Sequence, residues 1–295
     1  PIFTLVFSSK YFNKVNWSLF SGLFSLSAVT LLYTVLSTNL IELLIFLEVS
    51  IVSVFFLILL YGKEDRERAS ITFMLWSQVG MGLLLASIII ISVEISTTNI
   101  YKAYGLFNNF SAIGYAIPIF MLAIIGMVIK SAQFGVHSWL PKTYKESPSP
   151  VVIINSLLTG IGLYVIILYF YIFNSLSYLA PIFIVWALIS MIYGGINTFP
   201  QNDLNKFLGY SSISQLGYML LGSSIAFFMG LKSSIASIPL GILASIFIYI
   251  SIALGKGVLF MSTGGIEKEG EYGGLFKSSP VYTAFSFIGI LNVLG

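Results

Sequence analysis

The 295-residue sequence has no cysteine. That excludes a disulfide scaffold, thiolate-held iron–sulfur clusters and cysteine-ligated zinc within this chain. Histidine occurs once, which is too few for a histidine-based metal or haem site. Charge is scarce as well: 8% of residues are charged, against roughly 25% in a typical globular domain. Fourteen basic and eleven acidic side chains cannot cover a water-soluble body of this length. The net charge of +3 is too small to imply an anionic partner, and nucleic acid is excluded as one. Disorder, coiled coil and collagen fail on the same composition. No basic segment precedes the apolar residues 1–7, so no signal peptide is apparent.

What is abundant is apolar. Hydrophobic residues make up 57% of the chain and aromatic residues 16%, including 25 Phe and 17 Tyr. Aromatic side chains suit lipid-facing and interfacial positions. The composition describes a polytopic membrane protein. A helix crossing the ~30 Å hydrocarbon layer needs about 20 mostly apolar residues. Such runs occupy 17–37, 40–61, 70–93, 112–129, 151–172, 176–195, 208–230 and 234–262, and a ninth begins at Val281. They are apolar on every face, whereas membrane β-strands alternate in polarity over about ten residues. The expected fold is therefore an all-α transmembrane bundle.

The loops orient it. The side holding the amino-terminal segment carries Lys10, Lys14, Lys63, Arg66, Arg68, Lys142, Lys145, Lys206, Lys268 and Lys277; the opposite side carries Lys102 and Lys232. Cytoplasmic loops are enriched in Lys and Arg, so the first side is expected to be cytoplasmic. Residues 1–7 read as the tail of an earlier span, and Gly295 falls inside a hydrophobic run. The chain is thus expected to be the central part of a longer subunit.

Most charges belong to loops. The run Lys63-Glu64-Asp65-Arg66-Glu67-Arg68 is nearly self-neutralising and reads as a solvated turn between two helices. Glu42 and Glu94 lie near span ends, within reach of the interface. Glu48 differs, because it sits near the centre of the run 40–61. A carboxylate there costs about 2.5–3.5 kcal/mol on insertion scales, so it needs a cation, a water-filled cavity or a proton. It either serves function or glues helices together. Lys130 ends one apolar run and either snorkels to the interface or lies inside the bundle. The stretch that follows, from Phe134 to Pro141, is neither a clean apolar helix nor a polar loop. It reads as an interrupted helix, with Gly135 and Pro141 as breaks and Trp139 as an interfacial anchor. Lys256 lies between Gly255 and Gly257 in an apolar run, a context that favours the interior. His137 is a possible proton relay or a structural hydrogen-bonder. Asn155, Ser156 and Thr159 would either hydrate a path or bond helices to one another. Exchanging the neighbours of a buried amine changes its proton affinity by roughly 4–7 kcal/mol. Moving one charge against 100 mV costs about 2.3 kcal/mol, so a Glu–Lys pair suffices to load and expel a proton.

These residues also carry a family resemblance. Lys130-Ser131-Ala132-Gln133-Phe134-Gly135-Val136-His137-Ser138-Trp139-Leu140-Pro141 resembles the "KSAQ-F-x-x-H-x-WLP" signature of the antiporter-like proton-pumping subunits of respiratory complex I, of L, M and N type, and of related membrane-bound hydrogenase and multisubunit cation/proton antiporter complexes. Glu48 in Phe46-Leu47-Glu48 looks like the family's fifth-helix glutamate. The segment from Asp203 to Tyr218 resembles its "D-x-K-R-x-L-A-Y-S-S-x-S-Q-x-G-Y" stretch, and Lys256-Gly257-Val258-Leu259-Phe260 its "K-A-L-L-F". Gly273-Gly274-Leu275 and Pro280 match the loop before the twelfth helix. Together the segments cover nearly the whole chain.

The resemblance implies a fourteen-helix subunit built from two inverted five-helix repeats and containing a broken helix. Residues 1–172 would hold the end of a preceding helix and the first repeat, helices four to eight. Residues 173–295 would hold part of the second, helices nine to eleven and the start of twelve. Carried over, Glu48 and Lys130 would be the paired residues that take up protons, and Lys256 the eleventh-helix lysine of a mid-membrane hydrophilic axis. The twelfth-helix ionisable residue would lie beyond Gly295. Two departures stand out. The family's eighth-helix Lys or His is missing from 151–160, and the eleventh-helix histidines of L-type members are replaced by Ile248 and Ile252. Transfer from Lys130 to Lys256 would then rely on water held by Asn155, Ser156 or Thr159.

The expected function is proton translocation within a complex I-like NADH, or other reduced-cofactor, quinone oxidoreductase. No cofactor is expected in this chain; quinone, flavin and iron–sulfur clusters would belong to partner subunits. The partners implied are other membrane subunits, including homologous antiporter-like ones, and the lipid bilayer. The membrane implied is a prokaryotic plasma membrane rather than an organellar inner membrane. Two rivals remain: the same fold in a cation/proton antiporter or membrane-bound hydrogenase, and a non-conducting scaffold for a peripheral enzyme.

Overall fold

A computed structural model describes residues 2–11, 16–109, 114–230, 240–269 and 280–294. The described residues form α1 (Ile2–Tyr11), α2 (Trp17–Leu36), α3 (Leu40–Tyr61), α4 (Arg66–Ile95), α5 (Ile100–Asn109), α6 (Ala116–Lys130), α7 (Trp139–Glu146) and α8 (Ser149–Ile172). A 3-10 turn, Asn174–Leu179, leads into α9 (Ala180–Thr198), followed by α10 (Leu204–Phe228), α11 (Leu240–Glu269) and the final helix, Pro280–Leu294, here α12. No strand occurs among them; one isolated backbone bridge joins Asn39 to Asn99. Among the described residues, six helices are long and apolar enough to cross a membrane. In a solvent without hydrogen-bonding partners only an element that satisfies its own backbone can span, and these helices do so.

The helix ends follow local chemistry. Asn39 accepts from the Ile41 amide and Asp203 from the Lys206 amide, each satisfying an otherwise orphaned N–H at a helix start. Pro150 and Pro181 occupy first turns, where a missing N–H costs nothing. The charged run after α3 is an exposed turn whose backbone is tied to the last turn of α7. Lys63 N–H donates to the Glu146 carbonyl (2.7 Å) and Asp65 N–H to Glu146 Oε2 (3.2 Å).

The expected spans and the helices agree closely, and the run 40–61 coincides with α3. The expected starts at 112 and 234, and the Gly273–Leu275 loop, fall outside the described residues. One helix went unanticipated. α5 is too short to span and strongly amphipathic, packing Ala103 and Phe107 inward while Tyr101 and Lys102 face out. A search for long apolar runs passes over such a segment.

α8 lies at the centre. Of its apolar window 72% is enclosed by protein, against 28–44% for the other five candidate spans. Side chains such as Leu32, Leu75, Ile192 and Phe247 project outward from the surrounding helices. That arrangement suits a lipid environment.

Close crossings position the polar residues of the interior. At the α4–α6 contact, a Cβ on Gly80 would lie 2.6 Å from the Gly126 carbonyl oxygen, and one on Gly126 2.5 Å from that of Gly80. Only two glycines permit this approach, as at small-residue crossings of membrane helices generally. Ser77 stands one turn before Gly80 and Lys130 one turn after Gly126, so the crossing brings the two together. Gly80→Ala is expected to destabilise the protein by about 1–3 kcal/mol through overpacking. The detergent-solubilised protein should then melt at lower temperature than with Gly82→Ala, whose added carbon meets nothing within 4 Å. Equal melting temperatures for the two variants would contradict the tight crossing.

Candidate functional site

The polar interior begins where α6 stops. After Lys130 the chain enters a left-handed conformation at Ala132 (φ 50°), and Gly135 is left-handed as well (φ 91°). The backbone groups of this turn are matched individually. Ser131 N–H donates to the Met127 carbonyl (2.8 Å), Gln133 N–H to that of Val128 (3.2 Å) and Val136 N–H to that of Gln133 (3.1 Å). From α9, Ser190 Oγ accepts the Phe134 N–H (3.0 Å) and Trp186 Nε1 donates to the Phe134 carbonyl (3.0 Å). Buried irregular backbone persists only when satisfied in this way.

Two sequence readings need correction here. Trp139 is not an interfacial anchor: it is 1% exposed, and its indole N–H donates to the Ile129 carbonyl (3.2 Å). The ring is held inside because its N–H finds a second site on a carbonyl at the end of α6, one that also accepts the Ala132 N–H (3.2 Å). Pro141 is not a break either. It sits in the first turn of α7, where proline fits, and the reversal is made by Ala132 and Gly135.

Lys130 is 1% exposed. Its Nζ donates to Ser77 Oγ on α4 (3.1 Å) and lies 4.9 Å from the centre of the Phe73 ring. Such a cation–π contact contributes about 0.5–2 kcal/mol. Glu48, on α3, is half-buried; its Oε1 accepts from Gln78 Nε2, while Oε2 is buried without a hydrogen-bond partner. Glu48 and Lys130 are near enough for their charges to interact, but they are not joined in an ion pair. Two consecutive residues of α4, Ser77 and Gln78, hold one each.

Lys256 on α11 is fully enclosed, at 0% exposure. Its Nζ bonds Ser212 Oγ (2.6 Å) and reaches the Leu208 carbonyl (3.4 Å), both on α10. Of its flanking glycines, Gly255 is approached by Gly289 of α12, whereas Gly257 has open space beside it. Helix α8 lies between the turn after α6 and α11: Gly162 packs against Ser131, and Tyr249 of α11 donates to the Leu157 carbonyl (3.1 Å). On α8, Asn155 is fully buried, and neither its amide oxygen nor its nitrogen has a protein partner. Ser156 and Thr159 bond their own helix, to the carbonyls of Ile153 and Asn155 (2.8 Å each).

The remaining candidates lie apart. His137 is half-buried, with its ring 4.5 Å from that of Tyr193 on α9 and 6.1 Å from that of Phe134. Glu42 and Glu94 are exposed. Residues the sequence reading passed over are Ser77, Gln78 and Ser212, which hold the three charged groups, and Tyr144, buried on α7. A signal existed for the first two, since adjacent Ser and Gln interrupt the middle of an apolar run.

The residues 37–295 match the NADH:quinone oxidoreductase/Mrp antiporter transmembrane family. A relative described as F420H2 dehydrogenase subunit M, from Methanosarcina mazei, is 30% identical over 267 residues, 85% of this chain and 52% of its own length. The fold is similar to that in the Mrp complex of Dietzia sp. DQ12-45-1b (TM-score 0.80, 23% identity, 92% of this chain and 50% of that one). It is likewise similar to that in respiratory complex I from Thermus thermophilus with bound NADH (TM-score 0.77, 22% identity, 94% of this chain and 62% of that one). At these identities the structural likeness is one of fold, and the chain spans about half the length of the dehydrogenase subunit it matches. Matched over most of its length, the chain belongs to the NADH:quinone oxidoreductase/Mrp antiporter transmembrane family.

Proposed function

We propose that the chain is part of a proton-translocating membrane subunit in a complex I-like NADH, or other reduced-cofactor, quinone oxidoreductase. The observation that carries this reading is the enclosure of two lysines, Lys130 at 1% and Lys256 at 0% exposure, each held by a neutral hydroxyl on a neighbouring helix. Structural lysines in membrane proteins reach outward to the interface or pair with a carboxylate. These two do neither. A buried amine not locked in an ion pair can exist with or without its proton, which is the property a translocating residue requires.

In this reading Glu48 delivers a proton into the bundle, Lys130 takes it up, and the proton crosses α8 to Lys256. Ser77 and Gln78 keep the first two groups apart yet coupled, so that the charge on one biases the proton on the other. The interval between α6 and α7 is the family's broken helix, and the chain covers helices four to eleven and the start of twelve of a fourteen-helix subunit with inverted repeats. The subunit holds no redox centre; quinone, flavin and iron–sulfur clusters sit in partner subunits, among them homologous antiporter-like chains, in a prokaryotic plasma membrane.

A second reading, a subunit of a multisubunit cation/proton antiporter, is favoured by the family match itself, which names both oxidoreductase and antiporter; a membrane-bound hydrogenase is the third assembly that the same test addresses. Copurifying chains separate the three. Iron–sulfur and quinone-reducing subunits point to the oxidoreductase, nickel subunits to a hydrogenase, and neither to an antiporter.

In the assembled complex, Lys130→Ala is expected to lower proton translocation by about tenfold or more, since it removes an intramembrane ionisable group from the path. The check is the proton-to-electron ratio in membrane vesicles, and an unchanged ratio rejects the reading. Glu48→Gln keeps a hydrogen-bonding partner for Gln78 but removes the charge facing Lys130, so a loss of severalfold is expected. A non-conducting scaffold predicts instead that both variants translocate normally while truncation dissociates the complex.

A further inference from the structure

One buried hydroxyl takes no part in the path just described. Tyr144, on α7, is 0% exposed. Its ring stands edge-on to Phe260, with centroids 5.6 Å apart. Its hydroxyl lies among those of Ser156 and Thr159 on α8 and Ser212 on α10. None of them is placed to complete a direct hydrogen bond, and the oxygen is buried without a protein partner. A buried polar group left in this condition costs about 1–3 kcal/mol, whereas a phenylalanine would fill the same space at no such cost.

The placement follows from the backbone. A Cβ on Gly209 would lie 3.0 Å from Pro141 Cα, so α7 and α10 cross tightly there. Tyr144 and Ser212 stand three residues further along their respective helices and meet face to face. On its far side Ser212 bonds Lys256 Nζ at 2.6 Å. On the α8 side, Thr159 shares a helix face with Asn155, four residues before it, whose amide oxygen and nitrogen are buried and unpartnered. The unpartnered Tyr144 hydroxyl and Asn155 amide, with Thr159 adjoining both, are the kind of polar groups that buried water satisfies.

We infer that Tyr144 is a proton-relay residue that joins α8 to Lys256, carrying protons across the gap where α8 offers no ionisable side chain. The inference rests on the proton-translocating reading above. A protonated water held at Asn155 and Thr159 gives its proton to the Tyr144 oxygen and is left as neutral water. Once a small side-chain rotation brings the neighbouring Tyr144 and Ser212 hydroxyls into hydrogen-bond contact, the Tyr144 proton moves to the Ser212 oxygen, and the Ser212 proton forms the new N–H bond on the uncharged Lys256 amine. Tyr144 and Ser212 end with one proton each, as they began, and one positive charge has passed from α8 to α11. Rotation of the two hydroxyls resets the chain.

The test compares Tyr144→Phe, Tyr144→His and Lys256→Ala in the complete complex, reconstituted in vesicles, with translocation read by a pH-sensitive dye and normalised to assembled complex on native gels. Tyr144→Phe keeps the ring and its contact with Phe260, so assembly is expected to persist while translocation falls by about tenfold, as for loss of a proton-transfer group. Tyr144→His, which retains a donor and an acceptor, is expected to regain much of the rate; a purely structural tyrosine gives no such split between Phe and His. Thr159→Val, close in volume and lacking only the hydroxyl, carries the same expectation as Tyr144→Phe should the latter lower the amount of complex. A wild-type rate in Tyr144→Phe beside an inactive Lys256→Ala overturns the relay and leaves the wider reading standing. A wild-type rate in Lys256→Ala overturns both.

Discussion

The arrangement turns on two lysine amines withdrawn from water inside a bundle whose outward faces suit lipid. Burying such a group costs several kcal/mol even after relaxation, and a carboxylate in contact is the usual compensation. Here each lysine meets a single hydroxyl from a neighbouring helix, with Glu48 close enough to influence Lys130 but held away by Gln78. The two hydroxyls are delivered alike. Ser77 lies one turn from the Gly80–Gly126 crossing, and Ser212 one turn from the contact of Gly209 with Pro141. Helices that approach this closely leave little slack, so the hydroxyl arrives at bonding distance without a long flexible side chain to place it. The bonds satisfy the amines without fixing them permanently in the charged form.

The end of α6 contributes to the same balance. Lys130 is its last residue, and carbonyl groups without helical partners gather at a helix C-terminus. Their partial negative charge favours a nearby cation by about 0.3–1 kcal/mol, and by more where water is excluded. Most of the remaining demand from the turn is met elsewhere: Ser190 and Trp186 of α9 bind both backbone groups of Phe134, and the Trp139 indole takes the Ile129 carbonyl. The turn is therefore rigidly held from two sides. A lysine on it keeps its position when its proton leaves, because the neighbouring backbone does not depend on that charge.

The spans were legible because a membrane imposes one length and one polarity on whatever crosses it. The run 40–61 marks α3 to the residue, and the isolated charges Glu48, Lys130 and Lys256 stand out against apolar neighbours. The same rule explains α5, which does not cross and so has no long apolar run to find. Partnerships were not legible, because they depend on crossings between helices far apart in the chain. Gln78 lies 30 residues from Glu48, and Ser77 lies 53 from Lys130. Nothing within either helix alone says which will meet which. Trp139 shows the other kind of failure. A tryptophan among Gly, His, Ser and Pro reads alike whether it anchors at an interface or closes a buried turn, and only the meeting of its indole N–H with the Ile129 carbonyl decides between them.

Helix α8 completes the argument because it is the most enclosed candidate span and has the least reason, on packing grounds, to be polar. A leucine or isoleucine in place of Asn155 would seal the space between the turn after α6 and α11. Ser156 and Thr159 would survive in a sealed core, since each bonds a carbonyl of its own helix and is satisfied locally. Such hydroxyls can also turn away from that carbonyl toward a passing partner, because the carbonyl keeps its helical bond. Asn155 has no such refuge: its amide oxygen and nitrogen face the interior with nothing from the protein to bind. Buried amides are tolerated when water reaches them. Between the two lysines, Asn155 is the α8 side chain whose amide the protein leaves unsatisfied, and under the proposed proton-translocating reading it is there that water would bridge them without an ionisable group on the helix.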